Sequence, residues 1–142
     1  MPYTTLTQLT ARYGERLLLQ VADRDDPPAG VVDSAIINQA LADTDALIDG
    51  YLAGRYQLPL ASVPPQLGPI AQSIAIYKLH VYDPEKKIAD EYRAAIADLV
   101  RMANGVIRLA VAGIEPTSSG ASGVETIDRD RDFTPENMRG FI

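Results

Sequence analysis

The stretch that decides the fold is Asp33-Ser-Ala-Ile-Ile-Asn-Gln-Ala-Leu-Ala-Asp-Thr-Asp-Ala-Leu-Ile-Asp-Gly-Tyr-Leu-Ala-Gly54. Ile37, Ala40, Leu41, Thr44, Leu47, Ile48, Tyr51 and Leu52 recur at intervals of three and four, the period of one broad helical face. Asp33 is a good N-cap, because its carboxylate accepts from backbone N–H groups that have no partner inside the helix. Asp43, Asp45 and Asp49 fall on the flanks of the stripe. Asp45 and Asp49 are one turn apart, where like charges repel by a few tenths of a kcal/mol. A cation relieves that repulsion, either Arg55 or one on another subunit. This makes Asp45, Asp49, Arg55 and Tyr56 candidate subunit-interface residues; a solvated acidic face is the simpler reading.

Upstream of this helix, Thr5 and Gln8 have capping-box spacing, and Leu6, Leu9 and Tyr13 form one stripe. Gly14 ends that short helix, since glycine takes the left-handed conformation without steric cost. A second short helix spans Glu15 to Ala22 around Leu17, Leu18, Leu19 and Val21. Asp23-Arg-Asp-Asp-Pro-Pro-Ala-Gly30 is a loop. Its aspartates lack the alternating ligands, central glycine and terminal glutamate of a calcium loop, so it reads as solvated rather than metal-binding.

Downstream, Gly54 to Pro65 is an irregular connector in which Leu58 and Leu60 plug one end of a bundle. Pro64 or Pro65 opens the next helix, since proline is preorganised for a first turn. Leu67, Ile70, Ala71, Ile74, Tyr77, Lys78 and Val81 make that helix mostly apolar, and the small Ala71, Ser73 and Ala75 admit a close neighbour. It is the central helix. Asp83-Pro84 restarts the chain as cap and first helical residue. Glu85 to Ala103 follows, with Ile88, Tyr92, Ala95, Ile96, Leu99 and Met102 on one face. Asn104-Gly105 closes it, and Val106 to Val111 is a short apolar segment, extended or a last helical turn. The fold class is therefore all-α: a small bundle of four to five helices over residues 1–111.

From Ala112 the composition shifts. Residues 112–142 hold four glycines, three serines and three threonines and no tyrosine. Such a stretch buries too little apolar surface to offset its backbone entropy, so it reads as a flexible, extended C-terminal arm. Residues 133–142 turn apolar again and contain both phenylalanines of the chain. Phe133, Met138, Arg139, Phe141 and Ile142 are the candidate partner-docking residues, anchors on a tether that order on binding. Docking onto another chain is the favoured reading; folding back on the bundle and fraying are the alternatives.

Composition removes several chemistries. The 142 residues include no cysteine, no tryptophan and one histidine, His80, which excludes disulfides, thiol catalysis and multi-histidine metal sites. A formal net charge of −6 argues against general nucleic-acid binding. His80 has no Gly-x-Ser-x-Gly elbow to serve. Gly113, Gly120 and Gly123 match no phosphate-loop spacing. Carboxylates are plentiful, but no pair is marked out for hydrolysis. The tyrosines fall mainly on apolar faces and seal helix ends and subunit borders. No catalytic, cofactor or metal site is expected. The start Met-Pro-Tyr-Thr-Thr shows no secretory signal. The uncharged run from Tyr56 to Tyr77 carries Pro59, Pro64, Pro65 and Pro69, too many interruptions for a membrane span.

Several blocks resemble a family of small proteins of Mu-like phages and prophages whose function is not established. They are Met1-Pro-Tyr-Thr-Thr-Leu-Thr-Gln-Leu-Thr-Ala-Arg-Tyr-Gly-Glu15, Ala42 through Leu60 with Gly54-Arg55-Tyr56 and Leu58-Pro59-Leu60, Val63-Pro64-Pro65, Asn104-Gly105, and Met138-Arg139-Gly140-Phe141. The resemblance supplies no catalytic residues. It implies a virion structural protein, because the family's genes lie among head and tail genes. The expected place is the neck joining head to tail, as a homo-oligomeric ring touching the portal or tail-side proteins, with the host cytoplasm as the site of assembly. A tail-completion protein or a transient assembly factor is the alternative, and a virion-associated hydrolase the least favoured. No membrane and no sequence-specific nucleic acid is expected as a partner.

Overall fold

The computed structural model describes residues 2–111, which form five helices and, among the described residues, no strand. Helix α1 (Leu6–Tyr13) begins in the expected capping box: Gln8 N–H donates to Thr5 Oγ1 at 3.3 Å, and Thr5 N–H donates to Gln8 Oε1 at 3.1 Å. Gly14 joins it to α2 (Glu15–Ala22). Its φ of 86° is positive as expected, but its ψ of 152° is extended, not left-handed helical. Glycine alone occupies that region freely, and it lets the two short helices meet at an angle. Glu15 then stands in the first turn of α2, where the helix dipole favours a carboxylate.

The loop that follows is organised by Asp23. Its carboxylate accepts from Ala29 N–H at 3.1 Å and Gly30 N–H at 2.7 Å. Helix α3 (Ser34–Leu52) opens on Asp33, which accepts from Ala35 N–H at 2.8 Å. Ile37, Ala40, Thr44, Ile48 and Leu52 are its buried line. Thr44 is tolerated there because its hydroxyl donates to Ala40 C=O at 2.7 Å.

Helix α4 spans Leu67–Leu79. Pro64 and Pro65 do not open it, as the sequence suggested. Pro64 instead forms a turn, its carbonyl accepting from Leu67 N–H at 3.0 Å. The proline inside the first turn is Pro69, at a position whose missing donor has no intrahelical acceptor. Burial runs right round α4 through Leu67, Ile70, Ala71, Ser73, Ile74, Ala75, Ile76 and Leu79. A helix apolar on all sides is interior, and α4 packs on α1, α3 and α5.

Two further boundaries differ from the expectation. Val81 lies beyond α4 and is exposed. Helix α5 spans Lys86–Ala103 and starts after an extended Glu85, not at Asp83-Pro84, which makes no cap. Residues 80–85 are spent reversing the chain between α4 and α5. The end of α5 is a Schellman turn: Val106 N–H donates to Arg101 C=O at 2.8 Å and Gly105 N–H to Met102 C=O at 3.1 Å. Gly105 supplies the required positive φ of 76°. Residues 106–111 continue without helix, and Leu109 is buried.

The core has two parts, strung along α4. Around its start lie Tyr3, Ile48, Leu52, Tyr56, Leu60, Leu67, Leu99 and Leu109. Around its end lie Leu9, Leu18, Ile37, Ile76, Leu79 and Ile88. Tyr77 of α4 and Tyr92 of α5 stack between them, centroids 3.9 Å apart and planes within 9°. No helix among the described residues is long and apolar enough to cross a membrane.

Candidate interaction surfaces

The acidic pair of α3 is engaged within the chain. Tyr3 N–H donates to Asp45 Oδ1 at 3.0 Å, and the Tyr3 hydroxyl donates to Asp49 Oδ1. Both groups come from one buried N-terminal residue, so the two carboxylates share hydrogen-bond donors within the chain. Burial, reinforced by Asp49, raises the Tyr3 hydroxyl far above the ordinary phenol range. Burial also raises the Asp45 carboxyl, against the lowering effect of the Tyr3 N–H.

The other two candidate interface residues have different surroundings. Tyr56 is interior, at 3% exposure, and its hydroxyl accepts from Leu109 N–H at 3.2 Å. It pins the segment after α5 and has no surface to offer a subunit, which corrects its reading as an interface residue. Arg55 lays its guanidinium over Gly105, where a β-carbon would collide with it. Phe133, Met138, Arg139, Phe141 and Ile142 lie outside the described residues.

A polar seam ties α1 to α4 and α5. Arg12 donates to Pro69 C=O at 3.1 Å and to Gln72 Oε1 at 3.2 Å, and it approaches Glu91 at 3.7 Å. The Tyr13 hydroxyl also reaches Glu91, at 3.4 Å. Burial raises this phenol too, although Arg12 works in the opposite direction. These contacts are mutually satisfied and leave no group directed at a ligand.

A concavity lies at the other end of α4. It is a cleft of about 590 Å³ between the end of α2 and residues 80–85. Leu17, Val21 and Ile88 give it apolar walls, and Arg24, Asp83 and Glu85 its charge. Arg24 is turned inward, donating to Leu79 C=O at 3.1 Å. Val81 and Tyr82 stand on the lip, 64% and 88% exposed. His80 is held by its Nδ1, 2.7 Å from Ile76 C=O. Sequence reasoning missed this cleft. The available signal was a pair of large apolar residues, Val81 and Tyr82, directly ahead of Asp83-Pro84. Among the described residues, no group of three or more histidines and carboxylates is placed to hold a metal ion.

The geometry defines an all-helical protein, with five helices among its described residues. The family model for Bacteriophage Mu, Gp36 matches residues 3–126, so the chain belongs to that family. It is 32% identical over 142 residues to gene product J of Escherichia phage Mu, covering 100% of both chains. It is also 31% identical over 140 residues to the Mu-like prophage FluMu protein gp36 of Haemophilus influenzae, covering 99% of this chain and 98% of that one.

Proposed function

We propose that this protein is a virion structural component of a Mu-like phage that acts in the neck between head and tail. It assembles with copies of itself into a ring and docks residues 133–142 on a neighbour or on the portal. The observation that carries this reading is full-length similarity to a phage Mu gene product. The helical body fills its own core, while the two phenylalanines lie in a separate stretch beyond it. Ring contacts are heterologous and need two different surfaces on each copy. A net charge of −6 suits a position beside a DNA channel, where like charge discourages adhesion. The role is one of contact, without catalysis, cofactor or metal.

Mass spectrometry of purified virions, followed by electron microscopy of the head–tail junction, tests the proposal. A stoichiometric virion protein located at the junction is the expected result. Absence from virions but presence in assembly intermediates would favour the second reading, a transient assembly factor. A location at the distal tail would favour a tail-completion protein.

A further inference from the structure

We infer that the cleft beside residues 80–85 is the receptor for Met138-Arg139-Gly140-Phe141-Ile142 of a second copy of this chain. The inference deepens the proposed self-assembly and rests on it.

The cleft asks for an apolar occupant. Its walls are Leu17, Val21 and Ile88, and its lip carries the exposed Val81 and Tyr82. A volume of about 590 Å³ falls in the range that receives a small cluster of side chains. Its charge asks for a cation. Asp83 and Glu85 face the opening, while Arg24 is committed to the Leu79 and Val21 carbonyls. Asp23 also borders it but is committed to the Ala29 and Gly30 N–H groups.

Residues 138–142 match on both counts. They join Met138, Phe141 and Ile142 to Arg139 and contain no acid. No other stretch after residue 111 combines large apolar side chains with a positive balance. Phe133 follows Asp128, Asp130 and Asp132 and precedes Glu136, and those acids oppose docking beside Asp83 and Glu85.

Placement favours a second copy. The described chain ends at Val111, packed with Tyr56 and Leu60 around the start of α4. The cleft lies at the end of α4, a helix length of about 20 Å away. The point at which the described chain ends and the receptor cleft therefore lie at opposite ends of α4, an arrangement that suits a head-to-tail contact. The residues between Val111 and Met138 are enough to bridge adjoining bodies.

The chain has no cysteine, which makes the test direct. Full-length Gln20→Cys, in the cleft wall, and Gly140→Cys are mixed and oxidised, with Ala42→Cys on the exposed face of α3 as the control. The expected result is a disulfide-linked Gln20→Cys/Gly140→Cys heterodimer, favoured roughly tenfold or more over the control pair. Adding Arg139→Glu to the donor should abolish the preference, and adding Asp83→Arg to the receptor should restore it. Equal linkage to the control overturns the inference. So does a Gln20→Cys/Gly140→Cys double variant that closes only within one chain. Failure here alongside detection in virions refutes the cleft and leaves the virion role standing. A preferred cross-link with no virion protein refutes the role and keeps the contact.

Discussion

Arg55 covers Gly105: the guanidinium after α3 lies where a β-carbon on the glycine after α5 would have to stand. Two demands thus meet at one residue, the positive φ of the Schellman turn and the space taken by Arg55. Gly105→Ala should destabilise the chain by about 1–3 kcal/mol. Gly30→Ala has a similar φ of 73° but open surroundings, and should cost less. Urea unfolding of both variants measures the difference, and equal losses would remove Arg55 from the explanation.

The clasp on α3 makes a second prediction. Tyr3→Phe keeps the buried ring but removes the hydroxyl donor to Asp49. A hydrogen bond to a charged acceptor contributes about 1.5–3 kcal/mol. The loss should appear as a lower urea midpoint with an unchanged slope. An unchanged midpoint would mean that water replaces the hydroxyl at no cost.

Asp45 gives that clasp a pH dependence. Burial raises its folded carboxyl above its unfolded value, which is about 3.9. The folded state therefore holds its proton more tightly. The associated stability is fully present below the unfolded value and is lost as pH rises through the folded one. Asp45→Asn keeps an acceptor for Tyr3 N–H and removes the charge. The variant should gain stability relative to the parent as pH rises from 4 to 7, read from urea midpoints across the range. A gain that grows toward low pH has the wrong sign for this account.

Position on α4 predicts a steep contrast along a short stretch. Ile74 is fully buried, and Ile74→Ala should cost about 2–5 kcal/mol. Val81 is exposed beyond the helix end, and Val81→Ala should change stability by less than about 0.5 kcal/mol. Paired thermal melts decide this.

The proposed division into a helical body and a docking arm predicts a separation of stability from assembly. Deleting residues 124–142 should leave helicity and melting nearly unchanged while abolishing oligomerisation, as read by circular dichroism and native mass spectrometry. Phe141→Ala should weaken docking by about 2–4 kcal/mol where the ring is fully buried. An unfolded truncation would instead assign residues 124–142 to the core.

The helices were legible because their signals are local. The Thr5–Gln8 box, the Asp33 cap and the 104–105 stop each depend on neighbours a few residues away, and each formed. Asp83-Pro84 looked equally convincing and failed because chain reversal needed those residues. What joins distant residues was not legible. Nothing in the sequence pairs Tyr3 with Asp49, Tyr56 with Leu109, or Arg55 with Gly105. The repulsion between Asp45 and Asp49 suggested a cation or a solvated face, and it does not specify a backbone N–H and a phenol. The cleft was hidden for the same reason, since its walls come from α2, α5 and the turn before α5.

Burial on every side of α4 also divides evolutionary freedom within the molecule. A substitution on that helix is judged by its neighbours in the core, so the helix carries the instructions for folding and few for recognition. The outer faces of α2, α3 and α5 answer to no such jury. Those faces can change to follow a changing neighbour with little effect on folding, whereas a change on α4 disturbs the core itself.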